Sequence, residues 1–133
     1  MNVVVLGASN KPERYSYQAV KLLAEKGHAV FPVHPAISEI DCIPVFKRLA
    51  DIATQIHTIT VYLAPERSAA LTDEILSARP QRVIFNPGAE NPDLVQQLQQ
   101  IGVEAMNACT LVLLKTNQFD NANGKTDNVE RNI

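Results

Sequence analysis

The chain reads as a single doubly wound α/β domain, and three observations predict it. Short apolar runs of strand length alternate with stretches of helical period. Those runs, Val3-Val4-Val5-Leu6 first among them, are near-continuously apolar, as strands of a parallel sheet covered on both faces must be. The first run closes on a glycine and small polar residues before a helix opens. Five strand–helix alternations in 133 residues fit one mostly parallel, Rossmann-like sheet with helices on both faces.

Asn2–Leu6 is the first strand. Ser16 then suits the cap of a helix whose Val20, Leu23 and Ala24 fall at i, i+3 and i+4, with Gly27 as its stop. Ala29–Val33 is the second strand; Pro32 cannot donate to a ladder, which places this strand near an edge. Residues 34–56 read as loop with one short helix around Phe46–Asp51. Thr58–Leu63 is a β-branched third strand, and Pro65 suits the first turn of a helix carrying Leu71, Ile75 and Leu76. Arg82–Phe85 is the fourth strand. Asn91-Pro92 is a cap-and-first-position pair for a helix with Leu94, Leu98 and Ile101 on one face, closed by Gly102. Val103–Met106 is a short fifth strand, and Thr110–Leu114 a last helical turn. The domain is expected to span 1–114, with 115–133 a polar, Asn-rich and mobile tail.

Composition narrows the function. A net charge of −2 argues against a surface for nucleic acid or anionic membrane, so any basic patch must be local. No apolar stretch approaches the roughly 18 to 20 residues needed to span a bilayer, and Met1-Asn2 leads straight into a strand without signal-peptide features. Cys42 and Cys109 read as reduced thiols of a cytoplasmic protein, and three scattered histidines show no metal-ligand spacing.

In a doubly wound sheet, ligands lie beyond the carboxyl ends of the strands. The candidates are therefore Gly7-Ala8-Ser9, His34-Pro35, Ala64-Pro65 and Asn86-Pro87-Gly88. The first is the most pointed. Backbone N–H groups at a strand–helix turn suit a phosphate, and Lys11 and Arg14 share the loop, with Tyr15 and Ser16 opening the helix. Only one glycine is present, so the dinucleotide fingerprint is incomplete. An NAD site also wants an acid at the end of the second strand, where Val33-His34-Pro35 offers none, and no Arg for an NADP phosphate stands there.

Taken in order, Val5-Leu6-Gly7-Ala8-Ser9 with Arg14-Tyr15-Ser16, Val33-His34-Pro35, Pro44-Val45-Phe46 to Leu49-Ala50-Asp51-Ile52, Val61-Tyr62-Leu63-Ala64-Pro65, Asn86-Pro87-Gly88-Ala89-Glu90-Asn91 and Ala108-Cys109-Thr110 make a pattern. It resembles the small stand-alone CoA-binding proteins, whose domain is shared with the α subunit of succinyl-CoA synthetase. The resemblance implies CoA or an acyl-CoA as ligand. It places the diphosphate at Gly7–Ser9 and the backbone near Ser16, with the adenosine flanked by His34-Pro35 and by Tyr62 to Pro65. Synthetase-type members carry a lysine shortly after the second-strand proline. Here Ala36-Ile37-Ser38 stands in its place, which leaves the 3′-phosphate to Lys11 or Arg14.

No Ser/His/acid or Cys/His arrangement is legible, and Cys109 reads as a small core residue. The resemblance adds the option that it pairs with the thiol of CoA. The expectation is a binding module without its own chemistry, serving as carrier, sensor or partner of an enzyme. The alternative is a small NAD(P)-type enzyme or enzyme subunit. An exposed edge strand would suit a homodimer.

Overall fold

The computed structural model describes residues 1–121. β1 (Asn2–Leu6), α1 (Tyr15–Glu25) and β2 (Ala29–Val33) open the chain. A two-stranded hairpin follows, β3 (Glu39–Ile40) and β4 (Ile43–Pro44), and then a 3-10 turn at Leu49–Asp51. The remainder is β5 (Thr58–Val61), α2 (Pro65–Ala69), α3 (Thr72–Ala78), β6 (Arg82–Phe85), α4 (Pro92–Gln100), β7 (Glu104–Asn107) and α5 (Thr110–Lys115). Five strands form one sheet in the order β2-β1-β5-β6-β7, every pair parallel. This is the expected doubly wound sheet.

The pleat divides the core in two. Val4 and Leu6 of β1 join Ile59, Val61, Val83 and Phe85 under Ile75 of α3 and Leu94 and Leu98 of α4. Val3 and Val5 point to the other face, against Val20 and Leu23 of α1 and Leu114 of α5. Each such aliphatic side chain contributes about 1.5–3 kcal/mol by leaving water, and burial on both faces explains the near-continuous apolar run Val3–Leu6 of β1.

Several local expectations are corrected. Ser16 does not cap α1: Arg14 holds the cap position in extended conformation, and Ser16 lies buried inside the first turn. The loop at 34–56 contains the β3–β4 hairpin, turned by Asp41 and Cys42 at φ 47° and 70°. The single helix expected after Pro65 breaks into α2 and α3 at Leu71. The tail also begins later than expected. Phe119 is 2% exposed and packs into the α1-side core, so the chain to Asn121 belongs to the folded domain. The rest of the expected tail, 122–133, lies outside the described residues. Among the described residues no helix is long and apolar enough to cross a membrane.

Candidate functional site

After β1 the chain runs outward to β2, then returns to the opposite side of β1 as β5. The strand order therefore reverses between β1 and β5, where crossing connections leave a crevice at the carboxyl edge. A cleft of about 1100 Å³ occupies that place, large enough for an extended ligand. Leu6 to Ser9 form its floor, Val33, His34 and Pro35 one side, and Tyr62 and Leu63 the other.

The first loop is held open by its own backbone. Gly7 adopts φ 91°, and a Cβ there would lie 2.9 Å from Leu63 Cδ2 and 3.2 Å from the Tyr62 carbonyl carbon, so glycine is required by the turn itself. The Gly7 and Ala8 N–H groups both donate to the Val33 carbonyl, at 3.2 and 3.1 Å. That corrects the expectation of bare N–H groups at this point: these two tie the floor to β2. The donors available to an anion lie further on. No side chain caps α1, and no acid stands in its first turn. By contrast, the Asn91 side chain accepts from Leu94 N at 3.1 Å and closes the start of α4. The starts of α2 and α3 also lack a capping side chain but carry acids in their first turns, and at α5 Asn86 takes the Thr110 N–H. The start of α1 lies in the cleft lining beside Lys11 and Arg14, where its free N–H groups suit an anion.

The side walls add polar contacts. His34 Nδ1 accepts the Ala36 N–H at 3.0 Å, which leaves Nε2 to carry the proton of the neutral ring and to act as a donor. The Tyr62 hydroxyl is buried, which raises its pKa, and lies beside the Thr110 and Thr60 side chains. Tyr15, 69% exposed, stands at the rim.

Five cationic side chains complete the lining. Lys11 and Arg14 sit on the first loop, Lys47 and Arg48 on the segment after Phe46, and Arg67 on α2; the acids are Glu13 and Glu74. A chain of net charge −2 thus gathers five cationic side chains against two acidic ones in one cleft. An open helix end and this charge suit an anionic ligand.

The sequence pattern of the CoA binding domain matches residues 1–115. The chain belongs to that family. It is also similar to the uncharacterised protein YneT of Bacillus subtilis, with 25% identity over 75% of this chain and 74% of that one. A crystal structure of an uncharacterised protein superposes with a TM-score of 0.81 at 34% identity, covering 89% of this chain and 97% of the other. An acetyl-coenzyme A synthetase of Ca. Korarchaeum cryptofilum shares the fold, with a TM-score of 0.68 at 18% identity; the match spans 78% of this chain but only 25% of that enzyme.

Of the residues expected from sequence, this CoA-binding-family cleft brings together Gly7, Ala8, Ser9, Lys11, Arg14, Tyr15, Ser16, His34, Pro35 and Tyr62. Ala64, Pro65, Asn86 and Gly88 stand outside it. Asn86 is 2% exposed and fully engaged: Nδ2 donates to Thr60 Oγ1 (2.7 Å) and the Val61 carbonyl (2.9 Å), and Oδ1 accepts from Thr110 N (2.8 Å). It fastens the ends of β5 and β6 to α5. Pro65 starts α2 and turns its carbonyl to the Ser68 hydroxyl. Gly88 N–H is taken by the Glu90 carboxylate.

Sequence reading missed Lys47, Arg48 and Arg67. Phe46 forms a parallel bridge to Val33, with Phe46 N donating to the Pro32 carbonyl and His34 N to the Phe46 carbonyl, both at 2.9 Å. This short extension of the sheet delivers the next residues, Lys47 and Arg48, to the carboxyl end of β2. The apolar pair Val45-Phe46 followed by two cations was the available signal.

Proposed function

We propose that this protein binds CoA or an acyl-CoA in the cleft beyond β1, β2 and β5. In this reading it is a cytoplasmic module that acts as carrier, sensor or partner of an enzyme and performs no chemistry itself. The observation that carries the reading is the uncapped start of α1, flanked by Lys11 and Arg14, in a chain of the CoA-binding family. The N–H groups of that first turn, with Ser9, Lys11 and Arg14, would hold the diphosphate. His34-Pro35 and Tyr62 would flank the adenosine. CoA supplies a thiol for carrying acyl groups; the residues here bind and orient it.

Thermal shift with CoA, acetyl-CoA, NAD, NADP and ATP at equal concentration tests this. A ligand bound only by the native state raises the melting temperature by mass action, by about 2.7 kcal/mol of stability at a hundredfold excess over Kd. CoA or acetyl-CoA is expected to give the largest shift. A larger shift with NAD would return the oxidoreductase reading.

A further inference from the structure

At the amino end of the sheet, away from the cleft, the chain beyond α5 is fastened by a cluster that the binding site does not use. We infer that residues 116–121 form an acid-sensitive strap. It swings off the sheet as a unit when His28 takes up a proton, uncovering the apolar residues beneath Phe119.

The strap is a polar stretch held by one apolar anchor. α5 ends at Lys115, and Asn117 turns the chain at φ 58°, its side chain accepting from Lys26 Nζ at 3.2 Å. Gln118 N donates back to the Leu113 carbonyl at 2.8 Å. Phe119 is the one apolar side chain of 116–121, and it packs into the cluster of Val3, Val5 and Leu114. Its ring meets the Arg82 guanidinium at 4.4 Å and the His28 imidazole, edge-on, at 5.3 Å. Its carbonyl accepts Arg82 Nη1 at 2.7 Å.

His28 is the part of this clasp that acid changes. The Met1 ammonium can only donate, and it lies 3.3 Å from Nδ1, so that nitrogen is the acceptor. The hydrogen of the neutral ring is therefore on Nε2, which faces Asp120 Oδ1 at 3.3 Å. A further proton enters at Nδ1 and sets donor against donor. It also puts a second positive charge against the Phe119 ring, beside Arg82 and with His57 near by. Asp120 favours the charged ring, but its side chain is 67% exposed, and water weakens that attraction. Burial, the ammonium and Arg82 together prevail over Asp120 and the Met1 backbone, so the imidazole is harder to charge here than in water. Opening returns it to water and is favoured as pH falls.

Amide hydrogen exchange on the whole chain tests the strap, read as protection factors so that the pH dependence of intrinsic exchange cancels. Gln118 N–H reports the strap. Tyr62 N–H, bonded to the Leu6 carbonyl at 2.9 Å, reports opening of the sheet. Gln118 is expected to be less protected than Tyr62 at neutral pH, and to lose about three- to tenfold of its protection by about pH 5. His28→Gln keeps a donor and an acceptor without titrating and should flatten that loss, whereas His57→Gln should leave it in place. Equal protection at Gln118 and Tyr62 in the wild type overturns the strap, because the segment then opens only with the whole fold. Undiminished Gln118 protection in acid overturns the release. An undiminished loss in His28→Gln, or a loss abolished by His57→Gln, overturns His28 as its trigger.

Discussion

At the scale of single residues, Gly7 is where strand, turn and ligand meet. Its positive φ and the 2.9 Å approach of a Cβ to Leu63 Cδ2 mean that Gly7→Ala strains the backbone and crowds Leu63, just past the end of β5. The expected cost is about 1–3 kcal/mol, read as a lowered melting temperature. Gly7→Val should cost more and also weaken CoA binding, because displacing Leu63 shifts the cleft wall. Wild-type stability in Gly7→Ala would show that the loop relaxes freely. That glycine was legible because a strand that ends on Gly before a helix has few other uses. The hydrogen bonds of its neighbours were not. Nothing local says that the Gly7 and Ala8 N–H groups serve the Val33 carbonyl, a partner 26 and 25 positions away. Asn86 misled for the same reason: a polar residue at a strand end looks like a ligand contact until Thr60 and Thr110 are seen to absorb it.

At the scale of elements, Asn91 joins two helices. Its Oδ1 caps α4 through Leu94 N, while Nδ2 donates to Ser68 Oγ (2.9 Å) on α2. Asn91→Ala removes the cap and the hydrogen bond that the buried Ser68 hydroxyl accepts, leaving that hydroxyl only its bond to the Pro65 carbonyl, so it should destabilise by about 1–2 kcal/mol. Asn91→Asp keeps the cap oxygen and should recover part of that, as thermal unfolding of the pair would show; equal losses would deny the cap its share. This element was read correctly from Asn91-Pro92 because capping is local chemistry. The β3–β4 hairpin was not, since its turn uses Asp41-Cys42 where glycine or asparagine would announce it. Its fastening is tertiary as well. Asp41 accepts the Tyr17 hydroxyl and pairs with Lys21 at 3.1 Å, and the Tyr17 bond, with Lys21 next, holds its carboxyl below the usual range. The same contact raises Tyr17 and Lys21.

Across the whole molecule, the end of the sheet opposite the cleft is closed by charge. Arg82, 3% exposed, donates to Thr58 Oγ1 (3.0 Å) and the Phe119 carbonyl (2.7 Å), with its guanidinium 4.4 Å from the Phe119 ring centre. Burial brings its pKa down to about 10, still charged at neutral pH. His28 packs edge-on against Phe119 and faces Asp120 (3.3 Å) and the Met1 amino group (3.3 Å); His57 bonds Thr58 Oγ1. Burial first, then nearby positive charge, holds both imidazoles below their ordinary 6.5. The unfolded chain therefore takes up protons first as pH falls. The stability that both groups contribute is whole above that ordinary value and is lost as pH drops through the lowered ones. Melting temperature should fall between about pH 7.5 and about pH 5, and less steeply in His28→Gln/His57→Gln. Equal slopes in the two proteins would remove the histidines from the account. Arg82 and Phe119 explain why a polar-looking tail was misjudged: one buried aromatic among polar residues gives no periodic signal, and its partner lies 37 positions back.

The strand order carries a consequence for the growing chain. β1 leaves the ribosome first and ends in the interior of the sheet; β2 joins one of its sides, β5 the other, and then β6 and β7 each extend the margin left by the strand before. No strand has to be threaded between two that already exist. Assembly can thus follow the order of synthesis, and the cleft, whose floor and sides come from β1, β2 and β5, is framed before β6 and β7 are made.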